Sequence, residues 1–198
     1  MMVELETQDI YSLEKLQQVW KEGKRFPFVF FHAHTEDDVN CDPYNSTCCT
    51  QWFPCEFFDE KGRKYNCCEQ YMMAQKAILF NDRRTLEKIL NCSDPRTIKK
   101  YGREVKRFDQ DKWDKNCQEI VFHGNLLKFT QNEKFKKFML SCPKNAIFVE
   151  ATSDNRWGIK FKERNPKSQD PLQWAGTNFL GFQITRVRDT IISQSNQF

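Results

Sequence analysis

Hydrophobic residues recur with helical spacing over most of this chain and with strand spacing only in short stretches. Near the N-terminus, apolar residues at four helical positions precede Gly23, which predicts a helix over residues 8–22. The same pattern predicts helices near residues 68–80, 82–91, 95–107, 111–125, 131–141 and 176–193. The chain therefore has the pattern of a helix-rich protein.

The segments that resemble strands are few and short. Apolar runs at 26–32 and 145–151 predict buried strands, while 52–58 and 63–66 predict a hairpin. Residues 34–50 are polar and rich in Pro, Asn, Ser and Cys, which predicts a long loop. Strands and helices do not alternate as βαβ units, so the predicted fold class is α+β, a helix-rich single domain with a small β-sheet.

The length of 198 residues suits one domain with a substantial core. We expect residues 1–25 to form an N-terminal helical extension packed on a domain that spans 26–198. No run of eighteen apolar residues occurs, and the acidic N-terminus lacks the apolar stretch of a secretory signal. We therefore expect no contact with a membrane, a place in the cytoplasm or the nucleus, and a monomer in preference to an oligomer.

The net charge of +4 hides an asymmetry along the chain. Residues 1–60 contain four Lys or Arg against twelve Asp or Glu, whereas residues 61–198 contain 27 against 15. A basic main body favours ligands that carry phosphate, or nucleic acid.

Nine cysteines and three histidines raise the question of a metal site. The cysteines include the adjacent pairs Cys48–Cys49 and Cys67–Cys68, but no Cys-x-x-Cys occurs. A zinc site needs four convergent ligands, usually in close pairs, so we expect buried reduced thiols, no metal and no cofactor.

The predicted helix at 68–80 contains the candidate chemistry. One stripe of this helix holds four residues: Glu69, Met73, Lys76 and Phe80. A carboxylate and an amine that converge on a partly apolar face can perform acid/base or imine chemistry. Spacing alone, however, favours a half-exposed helix with scattered charges.

Eight motifs, taken in chain order, resemble those of the NADAR family of YbiA-like N-glycosidases. They are Thr50–Phe57, Glu69–Lys76, Lys99–Val105, Trp113, Lys128–Asn132, Val149–Gly158, Trp174–Gly181 and Val187–Arg188. The ordered set covers about residues 26–192. The resemblance implies the same α+β architecture and an enzyme that hydrolyses the C1′–N bond of a ribosyl group.

The resemblance also implies roles for individual residues. The implied catalytic residues are Glu69 and Lys76. The implied substrate-binding residues are Gln51, Trp52, Arg103, Trp113, Asp154, Trp157, Gly158, Trp174 and Asn178. Aromatic rings can stack on bases and a guanidinium fits a phosphate, although the tryptophans could instead be core residues and Asp154 a turn cap.

Three further features of the matched motifs bear on these assignments. The basic residues of the segment 95–107 other than Arg103 are expected to form a solvated face, opposite an apolar side made by Ile98, Tyr101, Val105 and Phe108. Lys128 and Asn178 lie in matched motifs without an evident mechanism, which suggests structural or pocket-edge roles. Many relatives have a second glycine two residues after the Trp-Gly pair, where this chain has Lys160.

The resemblance implies two classes of substrate. One is ADP-ribose attached to guanine in nucleic acid, which the basic body and the four matched tryptophans favour. The other is a phosphorylated ribosylaminopyrimidine of riboflavin synthesis. A non-catalytic ADP-ribose-binding module and a pure nucleic-acid-binding protein remain as alternatives of other classes. The expected partners are ADP-ribose, an ADP-ribosylated nucleotide or ADP-ribosylated nucleic acid.

Overall fold

Helices account for most of the computed structural model, which describes residues 10–40 and 44–195. The helices are α1 Leu13–Lys21, α2 Glu36–Asn40, α3 Cys68–Leu79, α4 Arg83–Leu90, α5 Pro95–Arg103, α6 Gln110–Gln131, α7 Glu133–Ser141 and α8 Phe179–Ser195. The strands are β1 Phe28–Phe31, β2 Phe57–Phe58, β3 Lys64–Tyr65 and β4 Ile147–Glu150. The predicted helix-rich α+β class is confirmed.

The described strands form two small sheets, where the sequence predicted one. β1 pairs with β4 in parallel, with Phe28 opposite Ile147, and β2 pairs with β3 in the antiparallel sense. The hairpin strand predicted over 52–58 is shorter than expected, because Phe53 N–H donates to the Thr50 carbonyl and turns the chain there.

The long loop predicted over 34–50 is wrong in part, because α2 and a 3₁₀ turn at Ser46–Cys49 lie within it. Thr35 and Asp38 form a reciprocal cap at the start of α2: Asp38 N–H donates to Thr35 Oγ1 at 3.3 Å, and Thr35 N–H donates to Asp38 Oδ2 at 2.8 Å. This capping interaction stabilises a short helix in a segment whose polar composition predicted a loop. Residues 41–43 lie outside the described part of the chain.

Tertiary contacts divide the chain into two compact units. The terminal unit comprises the described residues up to Cys49 and those from Lys134 onward, and the central unit comprises Thr50–Glu133. In the terminal unit, Leu16 and Val19 of α1 join a core that includes Ile147 of β4 and Phe182 of α8. The proposed boundary between an N-terminal extension and the domain stays a prediction.

Helix α3 lies in the middle of the central unit, where it contacts α4, α5 and α6. Every residue from Cys68 to Ala74 is buried, so the interpretation of a half-exposed helix is wrong. Two glycines of the neighbouring helices allow the close approach. A Cβ at Gly102 would lie 1.9 Å from Met73 Sδ, and one at Gly124 would lie 2.5 Å from the Tyr71 ring.

Within residues 10–40 and 44–195, no helix has the length and apolar character that a membrane crossing requires. The eight cysteines in these ranges are free thiols, and six of them are buried. The same ranges contain no group of three His, Cys, Asp or Glu side chains arranged to hold a metal ion.

Gly181 should be a stability determinant of the terminal unit. Replacing it with Ala should lower the free energy of unfolding by about 1–3 kcal/mol, as overpacking typically does, because a Cβ there would meet the Phe148 carbonyl oxygen at 2.2 Å. Urea denaturation measures the difference. The exposed Ser193 of the same helix supplies the control, and Ser193→Ala should change stability by less than about 0.5 kcal/mol. Equal effects of the two substitutions would contradict the prediction.

Candidate active site

The Glu69 carboxylate is buried at the beginning of α3, with only 3% of the residue exposed. Its backbone N–H donates to the Gln51 carbonyl at 2.9 Å, which ties the helix to the segment that contains Gln51 and Trp52. The Trp52 side chain donates a hydrogen bond to the carboxylate. The oxygen Oε1 is buried with no hydrogen-bond partner among the described residues, so it is available to a ligand.

Burial is the largest influence on the pKa of this acid. Desolvation raises the pKa of Glu69 above the usual carboxyl value, while the Lys99 ammonium, the Trp52 hydrogen bond and the Arg103 guanidinium act in the opposite direction. A carboxyl group with a raised pKa keeps a larger protonated fraction near neutral pH, which a proton donor requires.

Lys76 lies two turns further along α3 and is half-buried. Its ammonium nitrogen is 4.2 Å from the centre of the Phe108 ring and 5.4 Å from that of Trp113. Desolvation, and after it the positive charge of Arg103, lower the pKa of Lys76. A lowered pKa increases the fraction of neutral amine, which is the nucleophilic form.

Helix α5 contributes two exposed basic side chains to this region. The Lys99 nitrogen lies 5.8 Å from the centre of the Trp52 ring, and both Lys99 and Arg103 act electrostatically on Glu69. The close contact between the buried Gly102 and Met73 fixes α5 against α3. Lys99 was expected to belong to a solvated face, but its position one turn before Arg103 gives it the same face.

Phe108 is a second residue that the sequence reasoning missed. The periodicity predicted that the helix continues to residue 107, with Phe108 on its apolar side, but α5 ends at Arg103. Phe108 instead lies in the loop before α6, with 41% of its surface exposed, and its ring packs on Phe80 at 5.2 Å between ring centres.

A buried lysine holds the chain immediately before the Gln51–Trp52 segment. Lys128 is fully buried, and its ammonium donates to the Thr50 carbonyl at 3.0 Å. Both side-chain amide atoms of Gln51 are buried and have no hydrogen-bond partner among the described residues. Lys128 is therefore a structural support, as the sequence suggested, whereas Gln51 offers a donor and an acceptor beside Glu69.

The central unit thus brings together six of the eleven residues that the sequence singled out. They are Gln51, Trp52, Glu69, Lys76, Arg103 and Trp113. The arrangement combines a proton donor, an amine of lowered pKa, two cations and several aromatic rings. Such a set can protonate a leaving group, stabilise or attack an electrophilic carbon and bind an anion.

The other five residues lie in the terminal unit, where a loop carries Asp154, Trp157 and Gly158. Asp154 is exposed, and its Oδ1 accepts from the N–H groups of Arg156 and Trp157, both at 2.8 Å. This is the geometry of a turn-capping aspartate. The half-buried Trp157 ring contacts Phe179 edge to face, with 6.1 Å between the ring centres.

The side chains of Asn178 and Trp174 are buried and make hydrogen bonds to the protein backbone. Asn178 is fully buried, accepts from Glu150 N–H at 2.9 Å and donates to the Phe148 carbonyl at 3.0 Å, so both ends of its amide hold β4. Trp174 belongs to the hydrophobic core and donates its indole N–H to the Ser168 carbonyl at 2.8 Å. Ligand contacts of either residue stay predictions, as do those of Asp154, Trp157 and Gly158.

Lys160 adopts a left-handed backbone conformation, with φ of 64°. Glycine adopts positive φ without a steric penalty, so the glycine that the family resemblance implies at this position suits the conformation. In this chain the Lys160 N–H donates to the Asp154 carbonyl at 3.2 Å and closes the turn. This hydrogen bond helps to hold Lys160 in the left-handed conformation.

Comparison with known proteins assigns the chain to a family. The profile of the NADAR domain matches residues 30–192, and the chain belongs to this family. N-glycosidase R617 of Acanthamoeba polyphaga mimivirus is 35% identical over 166 residues, which are 82% of this chain and 95% of that one. Protein irg-1 of Caenorhabditis elegans is 28% identical over 134 residues, 67% of this chain and 63% of that one.

The fold is also that of a solved structure. The NMR structure of the E. coli protein YbiA superposes with a TM-score of 0.65 at 18% identity, over 88% of this chain and 91% of that one. At this identity the likeness concerns the fold alone. It covers both units, which agrees with a family match that extends across them.

Arg103 should tune both catalytic candidates in the same direction. In Arg103→Gln, the pKa of Glu69 should rise because its carboxylate loses a favourable charge, and the pKa of Lys76 should rise because its ammonium loses a repulsive one. Carbon-detected NMR titration of the two side chains measures both values. Lys100→Gln on the same helix is the control and should leave both unchanged. Shifts of opposite sign would show that Arg103 acts through packing.

Proposed function

We propose that this protein is an N-glycosidase that hydrolyses a ribosyl C1′–N bond and removes ADP-ribose from ADP-ribosylated guanine in nucleic acid. The observation that carries the proposal is the buried Glu69 carboxyl, which has one oxygen without a partner and lies among Trp52, Lys99 and Arg103. Its relative of 35% identity is named an N-glycosidase, which supports the same class of reaction.

The chemistry needs a proton on the leaving nitrogen and stabilisation of a positively charged ribose. Glu69 supplies the proton as the C1′–N bond breaks, and its carboxylate then stabilises the oxocarbenium-like centre. A water molecule adds to C1′ and transfers its proton back to the carboxylate. The products are the free base and a ribose with a hydroxyl group at C1′.

Lys76 supports a second route to the same products. Its neutral amine adds to C1′, the base leaves with the C1′–N electron pair and a proton from Glu69, and the ribose ring opens to an imine that water hydrolyses to release the ribose and the free amine. Partial burial and the charge of Arg103 favour the neutral amine. In the direct route, Lys76 instead contacts a phosphate or hydroxyl group of the substrate.

The charge around the site favours a substrate with several phosphates. The segment from residue 83 to residue 107 contains nine Lys or Arg against three Asp or Glu. Lys99 and Arg103 are its members nearest to Glu69. A pyrophosphate can use a guanidinium and an ammonium together, and exposed cations of the same segment such as Arg96 and Lys100 can contact the backbone of a nucleic acid.

Two other functions make different predictions. A non-catalytic ADP-ribose reader does not need a buried acid with an unpartnered oxygen, which costs about 1–3 kcal/mol in a folded protein. A pure nucleic-acid-binding protein predicts a steep salt dependence for every ligand and no effect of Glu69. Both are less consistent with the environment of Glu69 than a hydrolase. Monomeric state and location in the cytoplasm or nucleus remain proposals.

Glu69→Gln should abolish most turnover. Wild-type protein incubated with an ADP-ribosylated guanine oligonucleotide should release ADP-ribose, and the variant should do so at least about 100-fold more slowly, because general acid/base groups typically contribute that much. Chromatography quantifies the product, and circular dichroism verifies the fold. A parallel reaction with a phosphorylated ribosylaminopyrimidine tests the other substrate class. An unchanged rate in a folded variant would remove Glu69 from the mechanism.

Lys76 should be trapped as a covalent adduct. An imine between its amine and the aldehyde form of ADP-ribose becomes a stable secondary amine when borohydride reduces it. Intact-mass measurement should show one adduct that peptide mapping assigns to Lys76, and Lys76→Arg should lack it. Turnover without an adduct, or full activity of the arginine variant, would favour direct attack by water.

A further inference from the structure

Phe108 is an exposed aromatic residue beside the catalytic candidates, and neither the matched motifs nor the proposed mechanism assigns it a role. Its exposed fraction of 41% is among the four largest for hydrophobic side chains in the described part of the chain. The ring packs on Phe80 and on the Lys76 ammonium, yet this much of it stays open to solvent. The Lys76 nitrogen lies 4.2 Å from the centre of the ring, and the centre of the Phe80 ring lies 5.2 Å from it.

The loop that carries Phe108 is fixed to the end of α3 and the start of α4. Lys106 N–H donates to Asp82 Oδ2 at 2.9 Å, and the Arg107 guanidinium donates to the Asn81 carbonyl at 2.8 Å. Arg107 itself has a φ of 56°. A non-glycine residue in this conformation carries a steric penalty, so the surrounding contacts impose the shape of the loop.

We infer that Phe108 is a specificity-determining residue that stacks against the planar base on C1′ of the substrate, the group that leaves when the bond is cleaved. This inference rests on the proposed function. In the imine route the Lys76 nitrogen bonds to C1′, and the centre of the Phe108 ring is 4.2 Å from that nitrogen. The ring therefore lies within reach of a planar base that is bonded to the same carbon.

The leaving base fits this position better than the adenine of ADP-ribose. The adenine is separated from the cleaved bond by two phosphates and a second ribose, whereas the leaving base is bonded directly to C1′. A planar base gains stacking energy on a phenyl ring, and stacking tolerates different bases because each has a π-face. Guanine and an aminopyrimidine share this chemistry, so the inference holds for either substrate class.

The test compares a ligand that carries the leaving base with one that lacks it. In Phe108→Leu, which keeps an apolar side chain over Lys76, kcat/KM for the base-bearing substrate should fall about 5- to 100-fold. The inhibition constant of the product ADP-ribose should stay within about twofold of wild type, because the product has no base on C1′. Phe108→Tyr keeps the ring and should retain most of kcat/KM.

A matched control is the exposed Phe58 of the hairpin, where 46% of the residue is accessible. Phe58→Leu should leave both parameters unchanged. Unchanged kcat/KM in Phe108→Leu, or equal weakening of substrate and ADP-ribose, would overturn the inference while the proposed function stands. Wild-type protein that cleaves neither base-bearing substrate would overturn the proposed function, and this inference with it.

Discussion

Burial of helix α3 on almost every side is the constraint on which the central unit depends. A helix in this position must satisfy its polar side chains within the protein, since water cannot reach them. Gln70 does so by donating to the carbonyls of Ile89 and Cys92 at the end of α4, and the Tyr71 hydroxyl is 3.0 Å from His123 Nδ1. Glu69 is different, because one of its oxygens has no partner. On this one helix, Gln70 and Tyr71 are therefore structural polar residues, whereas Glu69 is a candidate for a functional one.

The same burial explains how an acid and an amine on one helix acquire complementary properties. Desolvation favours the neutral form of both groups, so it raises the pKa of Glu69 and lowers that of Lys76. Their separation of seven residues, about 10 Å along the helix axis, limits direct pairing that would restore both charges. Arg103 limits the shift of Glu69 and increases that of Lys76. A carboxyl group with a raised pKa is a better proton donor, and an amine with a lowered pKa is a better nucleophile, which are two properties that cleavage of an N-glycosyl bond can use.

Helix α3 and the start of α5 could be predicted from the sequence because helix-forming residues and capping residues are signals that lie within the segment itself. Ser93 and Asp94 are both possible caps in the sequence of α5, and in the structure Asp94 caps the helix by accepting from Thr97 N–H, with Pro95 in the first turn. The end of α5 had no comparable signal, since neither Gly nor Pro follows Arg103 closely. The sequence therefore assigned Phe108 to the apolar side of a helix. Its exposed position depends on contacts with Asn81 and Asp82, which are distant in sequence and invisible to periodicity.

A match to a family motif marks a ligand contact only where the side chain has atoms left to bind with. In the terminal unit, the carbonyls of Trp157 and Gly158 accept from the N–H groups of Leu180 and Asn178, so the loop satisfies the first turn of α8. A Cβ at Gly176 would lie 2.3 Å from the Gly158 carbonyl, which accounts for that glycine by packing. These motif residues maintain a shape, which explains why Lys160 retains its positive φ despite the steric cost. In the central unit, Glu69 Oε1 and both side-chain amide atoms of Gln51 are buried without a hydrogen-bond partner among the described residues. For this reason the candidate chemistry belongs to α3 and its surroundings.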